Sequence, residues 1–284
     1  MKLSPDKPIL MKTANTILIT GASSGMGKTT ALQLIDQGHM VYGAARRVEK
    51  MQELEEAGGR AIEMDITDEE QIVAAVTHIL EEQDQIDVLV NNAGFGLYGA
   101  VEDISIEDAK RQFEVNLFGL ARITKEVLPH MRERNSGTII NISSMGGKIY
   151  TPLGAWYHAS KHALEGWSDC LRLELKQFNI DVVIVEPGVI ATDFGDTLSG
   201  PLLENSGDGP YEQMARAMAQ ATKDSYEKEG ASSPPSVVAD TILKVIRSDK
   251  PKTRYPVGNM ARLLMFIRKY LGDRIFDKAI MSQL

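Results

Sequence analysis

The chain has 284 residues, of which 43% are hydrophobic and 25% are charged, as in an average globular protein. Its formal net charge of −8 argues against nucleic acid or an anionic membrane as its main partner. The single cysteine, Cys170, excludes an intramolecular disulfide and a thiolate metal cluster. No apolar run approaches the roughly 20 residues that span a membrane, and the N-terminus lacks a signal-peptide pattern. We therefore expect a cytoplasmic protein without a membrane span or a metal.

From residue 16 onward, short β-rich runs alternate with longer helical patterns. The predicted strands are residues 16–20, 40–44, 60–63, 86–90, 138–142 and 180–185. The predicted helices are residues 28–37, 48–57, 69–82, 106–133 and 156–178. Strands that are apolar throughout are typical of a parallel sheet covered on both faces. The alternation predicts the α/β class, with one doubly wound Rossmann domain over residues 16–284.

The two ends of the chain depart from this regular alternation. Residues 1–15 contain Pro5 and Pro8 and no periodicity, which predicts a flexible tail. Residues 193–236 contain five glycines and the pair Pro234-Pro235 around one helical pattern at 211–228. An irregular segment of this length inside a domain is usually functional, so we predict a helical substrate lid there. A disordered surface insertion is the alternative.

The first predicted strand runs directly into a glycine-rich turn at residues 21–27, with the sequence GASSGMG. Glycines between a strand and a helix allow a diphosphate to approach the backbone, and the helix N-terminus attracts its negative charge. A P-loop is excluded, because counting back from Gly27 places Ala22 where its first glycine should stand. Lys28 is then a solvated lysine of the first helical turn. With the spacing T-G-x-x-x-G-x-G, the chain resembles the short-chain dehydrogenase/reductase family.

Further motifs of that family follow in chain order. They are Asn91-Asn92-Ala93-Gly94 after the fourth strand, Asn116 in the long helix, Asn141-Ile142-Ser143-Ser144 at the end of the fifth strand, Tyr157-His158-Ala159-Ser160-Lys161, and Pro187-Gly188 followed by Thr192. The resemblance covers residues 15 to about 195. The segment RYPVG at residues 254–258 also resembles the branch that contains 17β-hydroxysteroid and retinol dehydrogenases. The resemblance implies an enzyme that interconverts a ketone and a secondary alcohol.

Four residues are the predicted catalytic group. A carbonyl that accepts a hydride also needs a proton, and the Tyr157 hydroxyl can supply it, although an unperturbed tyrosine pKa is about 10. Lys161 lies at i+4 on the same helix face, so its ammonium should lower the pKa of that tyrosine. Ser144 can donate to the substrate oxygen. The resemblance further implies that Lys161 binds the nicotinamide ribose and that Asn116 holds a water linking Lys161 to solvent.

NADP(H) is the predicted cofactor, with NAD(H) as the alternative. An NAD-selective site places an acidic residue at the end of the second strand, where this chain has Ala45. Arg46 and Arg47 follow and could pair with a 2′-phosphate. The cofactor-binding residues implied by the resemblance are Gly21, Ser23, Ser24, Gly25, Met26, Gly27, Arg46, Arg47, Asp65, Ile66, Asn92, Ala93, Gly94, Tyr157, Lys161, Pro187, Gly188, Ile190 and Thr192.

The predicted substrate is a bulky apolar ketone or alcohol of steroid or retinoid size. The residues expected to line its pocket are Gly146, Gly147, Ile149, Tyr150, Leu153, Trp156 and Val189. The predicted lid helix adds Tyr211, Met214, Ala215, Met218 and Ala221 at helical spacing, and ordinary helix packing is the alternative for this face. Two other functions stay open: a carbonyl reductase for small ketones or aldehydes, and a non-catalytic dinucleotide sensor.

A homodimer or homotetramer is expected. Helices 106–133 and 156–178 carry more apolar residues than one buried face needs, namely Phe113, Leu117, Leu120, Trp167, Leu171 and Leu175. The family pairs these helices across a two-fold axis, which makes an isologous interface. His158 and Cys170 are assigned to packing rather than to chemistry.

Overall fold

Within residues 14–228 and 230–282, which the computed structural model describes, seven strands form one parallel sheet in the order β3-β2-β1-β4-β5-β6-β7. The strands are β1 (Thr16–Thr20), β2 (Met40–Ala45), β3 (Arg60–Glu63), β4 (Val88–Asn91), β5 (Gly137–Ile142), β6 (Ile180–Pro187) and β7 (Arg254–Val257). The order reverses between β1 and β4, which is where doubly wound sheets form their ligand crevice. Of the predicted tail, residues 1–13 lie outside the described residues.

Helices connect the strands and cover both faces of the sheet. They are α1 (Gly25–Asp36), α2 (Gln52–Glu56), α3 (Glu69–Gln83), α4 (Ile106–Phe113), α5 (Leu120–Glu133), α6 (Ala155–Leu175), α7 (Phe194–Ser206), α8 (Glu212–Glu227), α9 (Ser236–Arg247), α10 (Ala261–Tyr270) and α11 (Asp273–Met281). A π-helical turn, Glu114–Gly119, joins α4 to α5. The predicted fold class, a single doubly wound Rossmann domain, is confirmed.

Alternate residues of each central strand enter different cores, as the apolar runs predicted. In β1, Ile17 and Ile19 pack with α1 and α9 in one cluster, whereas Leu18 packs with α3, α5 and α6 in the other. All three side chains are fully buried. Their burial on both faces fixes the position of the carboxyl ends of β1, β4 and β5, which carry the polar motifs.

The edge strand β7 was not among the predicted strands. It contains the RYPVG segment and pairs in parallel with β6, with Arg254 opposite Ile184 and Val257 opposite Pro187. Pro256 cannot donate a ladder hydrogen bond, which makes the segment a poor strand by pattern and suits an edge position.

The 193–236 segment contains two helices, α7 and α8, where the sequence predicted one helix in irregular chain. Residues Tyr211, Met214, Ala215 and Met218 pack with Ala100, Leu153 and Leu202. This face is therefore ordinary helix packing, the alternative left open above. The apolar residues do recur at helical spacing, but other segments of the same chain already cover this face of α8.

Two assignments on α5 and α6 need correction. Cys170 is exposed, so it is not the buried residue that was expected. Leu120, Leu171 and Leu175 are buried within the chain's own core and have no apolar surface left for a subunit interface. The exposed large apolar side chains of the predicted helices 106–133 and 156–178 are instead Ile106, Phe118 and Leu173.

A group of charged side chains anchors β7 to the rest of the fold. Arg254 Nε lies 3.1 Å from Glu165 Oε2 on α6 and 3.6 Å from Glu186 Oε1 on β6. Lys148 Nζ lies 2.8 Å from the same Glu165 oxygen. Glu186 is fully buried, and burial raises its pKa to about 7, with the charge of Glu165 acting in the same direction and Lys148 and Arg254 opposing it.

We predict a change in the pH dependence of stability on Glu186→Gln. Because the folded-state pKa of Glu186 lies above its unfolded value, this residue's contribution is complete below the unfolded pKa and is lost as pH rises through about 7. Between about pH 5 and pH 8, the wild type should lose more free energy of unfolding than the variant. Urea denaturation measures this, with the exposed Glu174→Gln as the matched control. Equal pH dependence in wild type and Glu186→Gln would contradict the prediction.

Candidate active site

The glycine-rich turn between β1 and α1 has the backbone that a phosphate cradle requires. Gly21 (φ +68°) and Gly25 (φ +52°) lie in the left-handed region that favours glycine. Helix α1 begins at Gly25 with Ser24 as its N-cap residue, three residues earlier than predicted. Its N-terminus therefore lies within the motif and points its free N–H groups into the crevice. Lys28 follows in the first turn of α1. Its Nζ lies 2.5 Å from Glu53 Oε2, and both side chains have access to solvent, which agrees with a solvated lysine.

Close backbone approach explains the third glycine. A Cβ at Gly27 would lie 2.3 Å from the Gly21 carbonyl oxygen and 2.5 Å from Asn92 Nδ2. Asn92 Nδ2 donates to the carbonyl oxygens of Thr20 (3.0 Å) and Gly21 (3.1 Å). The side chain that follows β4 thereby holds the turn that follows β1.

Thr20 is a site residue that the sequence analysis did not single out. Its Oγ1 accepts hydrogen bonds from the backbone N–H groups of Asn92 and Ala93, each at 3.0 Å. The available signal was the threonine of the T-G-x-x-x-G-x-G spacing itself. Asn91, in the same motif, instead donates to Thr124 (3.1 Å) and Asn141 (2.9 Å), and so ties β4 to its neighbours.

A cavity of about 740 Å³ opens at the carboxyl ends of β1 to β4. The predicted cofactor residues that line it are Gly21, Ser23, Ser24, Gly25, Met26, Arg46, Arg47, Asp65, Ile66, Asn92, Ala93, Gly94 and Thr192. Gly27 lies behind this wall. Lining residues that the sequence analysis missed include Thr67, Lys110, Arg111 and Val115. The last three come from α4 and the π-helical turn, which no local motif connects to the crevice.

The end of this cavity beyond β2 and β3 is rich in charged groups. Arg46 and Arg47 are exposed there, next to the buried Ala45. Thr67 donates to Asp65 Oδ1 from its backbone N–H (2.9 Å) and its hydroxyl (2.8 Å). Burial raises the pKa of Asp65, but the Thr67 hydrogen bonds and the charges of Arg46 and Arg111 outweigh it and lower the pKa. Asp65 is therefore held as a carboxylate facing these arginines.

Tyr157, Ser144 and Lys161 meet where β5 ends against α6. Tyr157 is buried, which raises its pKa, while a hydrogen bond with Ser144 acts in the opposite direction. Lys161 Nζ donates to the Ile142 carbonyl oxygen at 2.9 Å. Burial lowers the pKa of Lys161 to about 8, and Glu165 partly offsets this. The net shift of the Tyr157 pKa is upward, because burial outweighs the effect of Ser144.

Asn116 lies behind this cluster, in the π-helical turn. Its Oδ1 accepts from the backbone N–H of Phe95 (3.0 Å), and its Nδ2 donates to the Phe95 carbonyl (3.0 Å) and to Ser160 Oγ (3.1 Å). The side chain thus joins the loop after β4 to the helix that carries Tyr157. The wider hydrogen-bond spacing of a π-helical turn is a frequent feature of functional sites.

A second cavity of about 170 Å³ lies against Tyr157, Ser144 and Lys161. Of the predicted substrate-pocket residues, Gly146, Ile149 and Val189 line it. Gly147, Tyr150, Leu153 and Trp156 are not among its lining residues. Tyr150, for example, turns outward and donates to Asp277 at 2.9 Å. The predicted cofactor residues Pro187, Gly188 and Ile190 complete the wall beside β6.

Aromatic side chains form much of the remaining wall of this second cavity. They are Phe95, Tyr98, His158, Phe194 and Tyr226, and Leu198 lies among them. The Tyr98 and Phe194 rings lie 5.8 Å and 6.0 Å from the Tyr157 ring, measured between centroids. Phe194 and Leu198 come from α7 and Tyr226 from α8, so the segment predicted as a lid contacts the cavity through residues other than those expected.

His158 supports the loop after β5, which agrees with its assignment to packing. Its Nδ1 lies 2.9 Å from the Gly146 carbonyl oxygen, and its Nε2 accepts from the backbone N–H of Thr151 at 3.1 Å. Burial lowers the pKa of His158 to about 4. The imidazole is therefore neutral at physiological pH, with its proton on Nδ1.

Comparison with known proteins agrees with this geometry. The sequence profile of the short chain dehydrogenases matches residues 15–200. A protein named 3-ketodihydrosphingosine reductase from Bacteroides thetaiotaomicron is 38% identical over 93% of this chain and 96% of its own length. Retinol dehydrogenase 8 of Bos taurus is 34% identical over 84% of this chain and 80% of its own length. The crystal structure of a short-chain dehydrogenase from Streptomyces avermitilis superposes with a TM-score of 0.79 at 35% identity, covering 89% of this chain and 92% of that one.

The chain therefore belongs to the short-chain dehydrogenase/reductase family and is an oxidoreductase of that family, whose members bind NAD(P)(H). Among the described residues, no helix is both long and apolar enough to cross a membrane. In the same part of the chain, no group of three His, Cys, Asp or Glu side chains is arranged to hold a metal ion.

We predict that Gly27→Ala weakens binding of NADPH at least about tenfold, because the new methyl group must displace the Gly21 carbonyl or the Asn92 amide that shapes the cradle. Fluorescence titration of the purified protein with NADPH measures the dissociation constant. Gly166→Ala on α6 is the matched control, since a Cβ there meets nothing within 4 Å. Unchanged affinity in Gly27→Ala would show that the turn tolerates the shift.

Proposed function

We propose that this oxidoreductase interconverts a ketone and a secondary alcohol with NADP(H), and that Tyr157 exchanges the proton. The observation that carries the proposal is that Ser144, Tyr157 and Lys161 line one cavity, with Lys161 Nζ held 2.9 Å from the Ile142 carbonyl oxygen. The large crevice has the glycine turn, the exposed α1 N-terminus and the volume that a dinucleotide requires. Its residues therefore fit the cofactor, with Gly21, Gly25 and Asn92 around the diphosphate.

The roles of the chain's own groups follow from their positions. When bound, the nicotinamide cofactor supplies or accepts the hydride. The raised pKa of Tyr157 keeps its hydroxyl protonated at neutral pH, ready to donate to a carbonyl oxygen. Ser144, hydrogen-bonded to the same hydroxyl, offers a second donor to that oxygen. Lys161, one helical turn from Tyr157, is cationic below its pKa of about 8 and stabilises the tyrosinate that forms. For Asn116 we propose a part in the proton path beyond Lys161.

A bulky apolar substrate is the first candidate. The accessible wall of the cavity is mainly apolar, with Met145, Ile149, Val189, Phe194 and Leu198 among its lining residues, and such pockets bind by apolar burial. Two relatives support this assignment, since the names 3-ketodihydrosphingosine reductase and retinol dehydrogenase both denote lipid substrates.

The size of the cavity favours a second candidate, reduction of small ketones. Its volume of about 170 Å³ is below the roughly 300–1,000 Å³ of common ligand pockets. A bulky substrate therefore requires α7 and α8 to move, which is the lid role proposed for residues 193–236. Activity with a homologous series of ketones of increasing chain length discriminates the two candidates.

Tyr157→Phe should reduce kcat by about 10²–10⁴-fold while NADPH still binds. The change removes the proton donor but keeps the ring that packs against Tyr98 and Phe194. Steady-state ketone reduction gives kcat, and fluorescence titration gives cofactor affinity. Tyr150→Phe, whose hydroxyl bonds Asp277 outside the cavity, is the matched control. A kcat close to that of the wild type would place the acid on another residue.

NADPH should be used with a higher kcat/KM than NADH, because Arg46 and Arg47 border the cavity beyond the buried Ala45. The double variant Arg46→Ala/Arg47→Ala should lose at least about tenfold in kcat/KM with NADPH and little with NADH. Arg60→Ala on β3, outside the cavity lining, controls for loss of positive charge. Comparable kcat/KM for the two cofactors in the wild type would refute the preference.

We also infer a homo-oligomer, formed through α5 and α6. Support comes from Phe118 and Leu173, which expose 49% and 66% of their surfaces on the π-helical turn and on α6. An isologous contact between two copies would bury both side chains in each subunit.

A further inference from the structure

We propose that the exposed face of α10 and α11 docks on an anionic phospholipid surface and brings the substrate cavity to the lipid phase. The face, called here the C-terminal face, consists of Leu263, Phe266, Tyr270, Leu271 and Ile275. The delivery of substrate depends on the apolar substrate proposed above, whereas the docking itself does not.

The C-terminal face concentrates exposed apolar surface. Of the twelve large hydrophobic side chains exposed in the described residues, six lie between Leu263 and Met281. Leu263 and Phe266 are each 54% exposed, and Tyr270 is 63% exposed. At about 100° per residue, these three side chains lie within about 60° of one another around α10. Exposed apolar patches of this kind mark interaction sites.

The opposite side of both helices is buried, so the exposed stripe is not a consequence of loose packing. Leu264 on α10 and Phe276 and Ile280 on α11 form a core cluster with Ile149. Each helix is therefore amphipathic and fixed by its own buried side. A helix with one face fixed to the protein and an apolar stripe facing outward can lie in the plane of a membrane interface.

Local charge identifies the partner as anionic. Residues 261–282 contain five basic and two acidic residues, a net charge of +3 in a chain of net −8. Asp273 pairs with Arg268, and Asp277 accepts a hydrogen bond from Tyr150, so both acidic groups are engaged within the fold. Arg262, Lys269, Arg274 and Lys278 are exposed.

The basic residues flank the apolar stripe as membrane-binding helices require. Around α10, Arg262 and Lys269 lie about 40–60° from Phe266 on the same exposed side. Lys269 Nζ lies 5.2 Å from the centroid of the Tyr270 ring. Basic side chains beside an apolar stripe interact with anionic headgroups while the stripe enters the acyl boundary. The net charge of the whole chain argued against an anionic membrane as a partner, but the C-terminal face carries a net positive charge.

A second copy of the chain fits the C-terminal face less well. An isologous contact would bring two faces of net positive charge together, and like charges across an interface are unfavourable. An acidic partner surface is needed, and a bilayer that contains anionic lipid provides one together with an apolar layer.

The C-terminal face is also connected to the substrate cavity. The cluster that fixes α10 and α11 includes Ile149 and has Met145 packed against it, and both residues line the cavity beside Tyr157. A lipid surface held against α10 and α11 would therefore be separated from the cavity wall by this one layer of helices. An apolar ketone could then enter without crossing bulk water.

Vesicle flotation of the full chain tests the proposal. Wild-type protein should bind vesicles of phosphatidylcholine with about 30% phosphatidylglycerol, and binding should fall at high salt and on pure phosphatidylcholine. Leu263→Glu/Phe266→Glu should reduce the bound fraction at least about tenfold. Val73→Glu, on an exposed site of α3, is the matched control and should bind as the wild type does.

Several results would overturn the docking proposal. They are a wild type that does not float, equal flotation with neutral and anionic vesicles, and equal loss of binding in Val73→Glu. Sedimentation measures the oligomeric state of the Leu263→Glu/Phe266→Glu variant. A state equal to that of the wild type would show that this face is not a subunit contact. A smaller species would show that it is one and would refute the lipid assignment. Reduction of a water-soluble ketone should be the same in both proteins. Absence of any ketone turnover in the wild type would refute the proposed activity. The docking proposal would then be decided by the vesicle experiment alone.

Discussion

The close contact between the turn after β1 and the loop after β4 positions everything else in the site. Gly27 allows α1 to approach the Gly21 carbonyl, and Asn92 holds that turn through two hydrogen bonds. Strands β1 and β4 are neighbours at the point where the strand order reverses. The contact between their following loops therefore lies between the two cavities of the site. The dinucleotide cavity lies along one side and the Tyr157 cavity at its end.

Burial sets the protonation of the reactive groups. Tyr157 and Lys161 are almost completely buried, and burial disfavours the charged form of each, so it raises the pKa of the tyrosine and lowers that of the lysine. The Ile142 carbonyl accepts a hydrogen bond from Lys161, and Ser144 lies beside Tyr157 on the cavity wall, so both buried groups have polar neighbours in a low-dielectric environment. Burial likewise raises the pKa of Glu186, which lies on β6 opposite Pro256 of β7.

Four helices that follow β6 surround the Tyr157 cavity outside the sheet. Helices α7 and α8 close one side of the Tyr157 cavity with Phe194 and Tyr226, and α10 and α11 support it from another side through Ile149. These helices therefore shape the Tyr157 cavity from outside the sheet. The exposed apolar stripe on α10 lies on the outer side of this group of helices.

The sequence by itself determined the central sheet and the glycine-rich turn, because their signals, apolar runs and glycine spacing, are local. The resemblance to the family motifs singled out Ser144, Tyr157 and Lys161, which line one cavity in the structure. Only the tertiary structure decided that Pro256 lies in an edge strand, that Met214 and Met218 are covered by Leu153, and that Tyr98 and Tyr226 meet Tyr157. Those contacts join residues far apart in the chain, and a local apolar period does not specify which distant segment will cover it. The direction of the Tyr157 pKa shift was likewise decided by burial, a property of the folded chain that the helical spacing of Tyr157 and Lys161 does not contain.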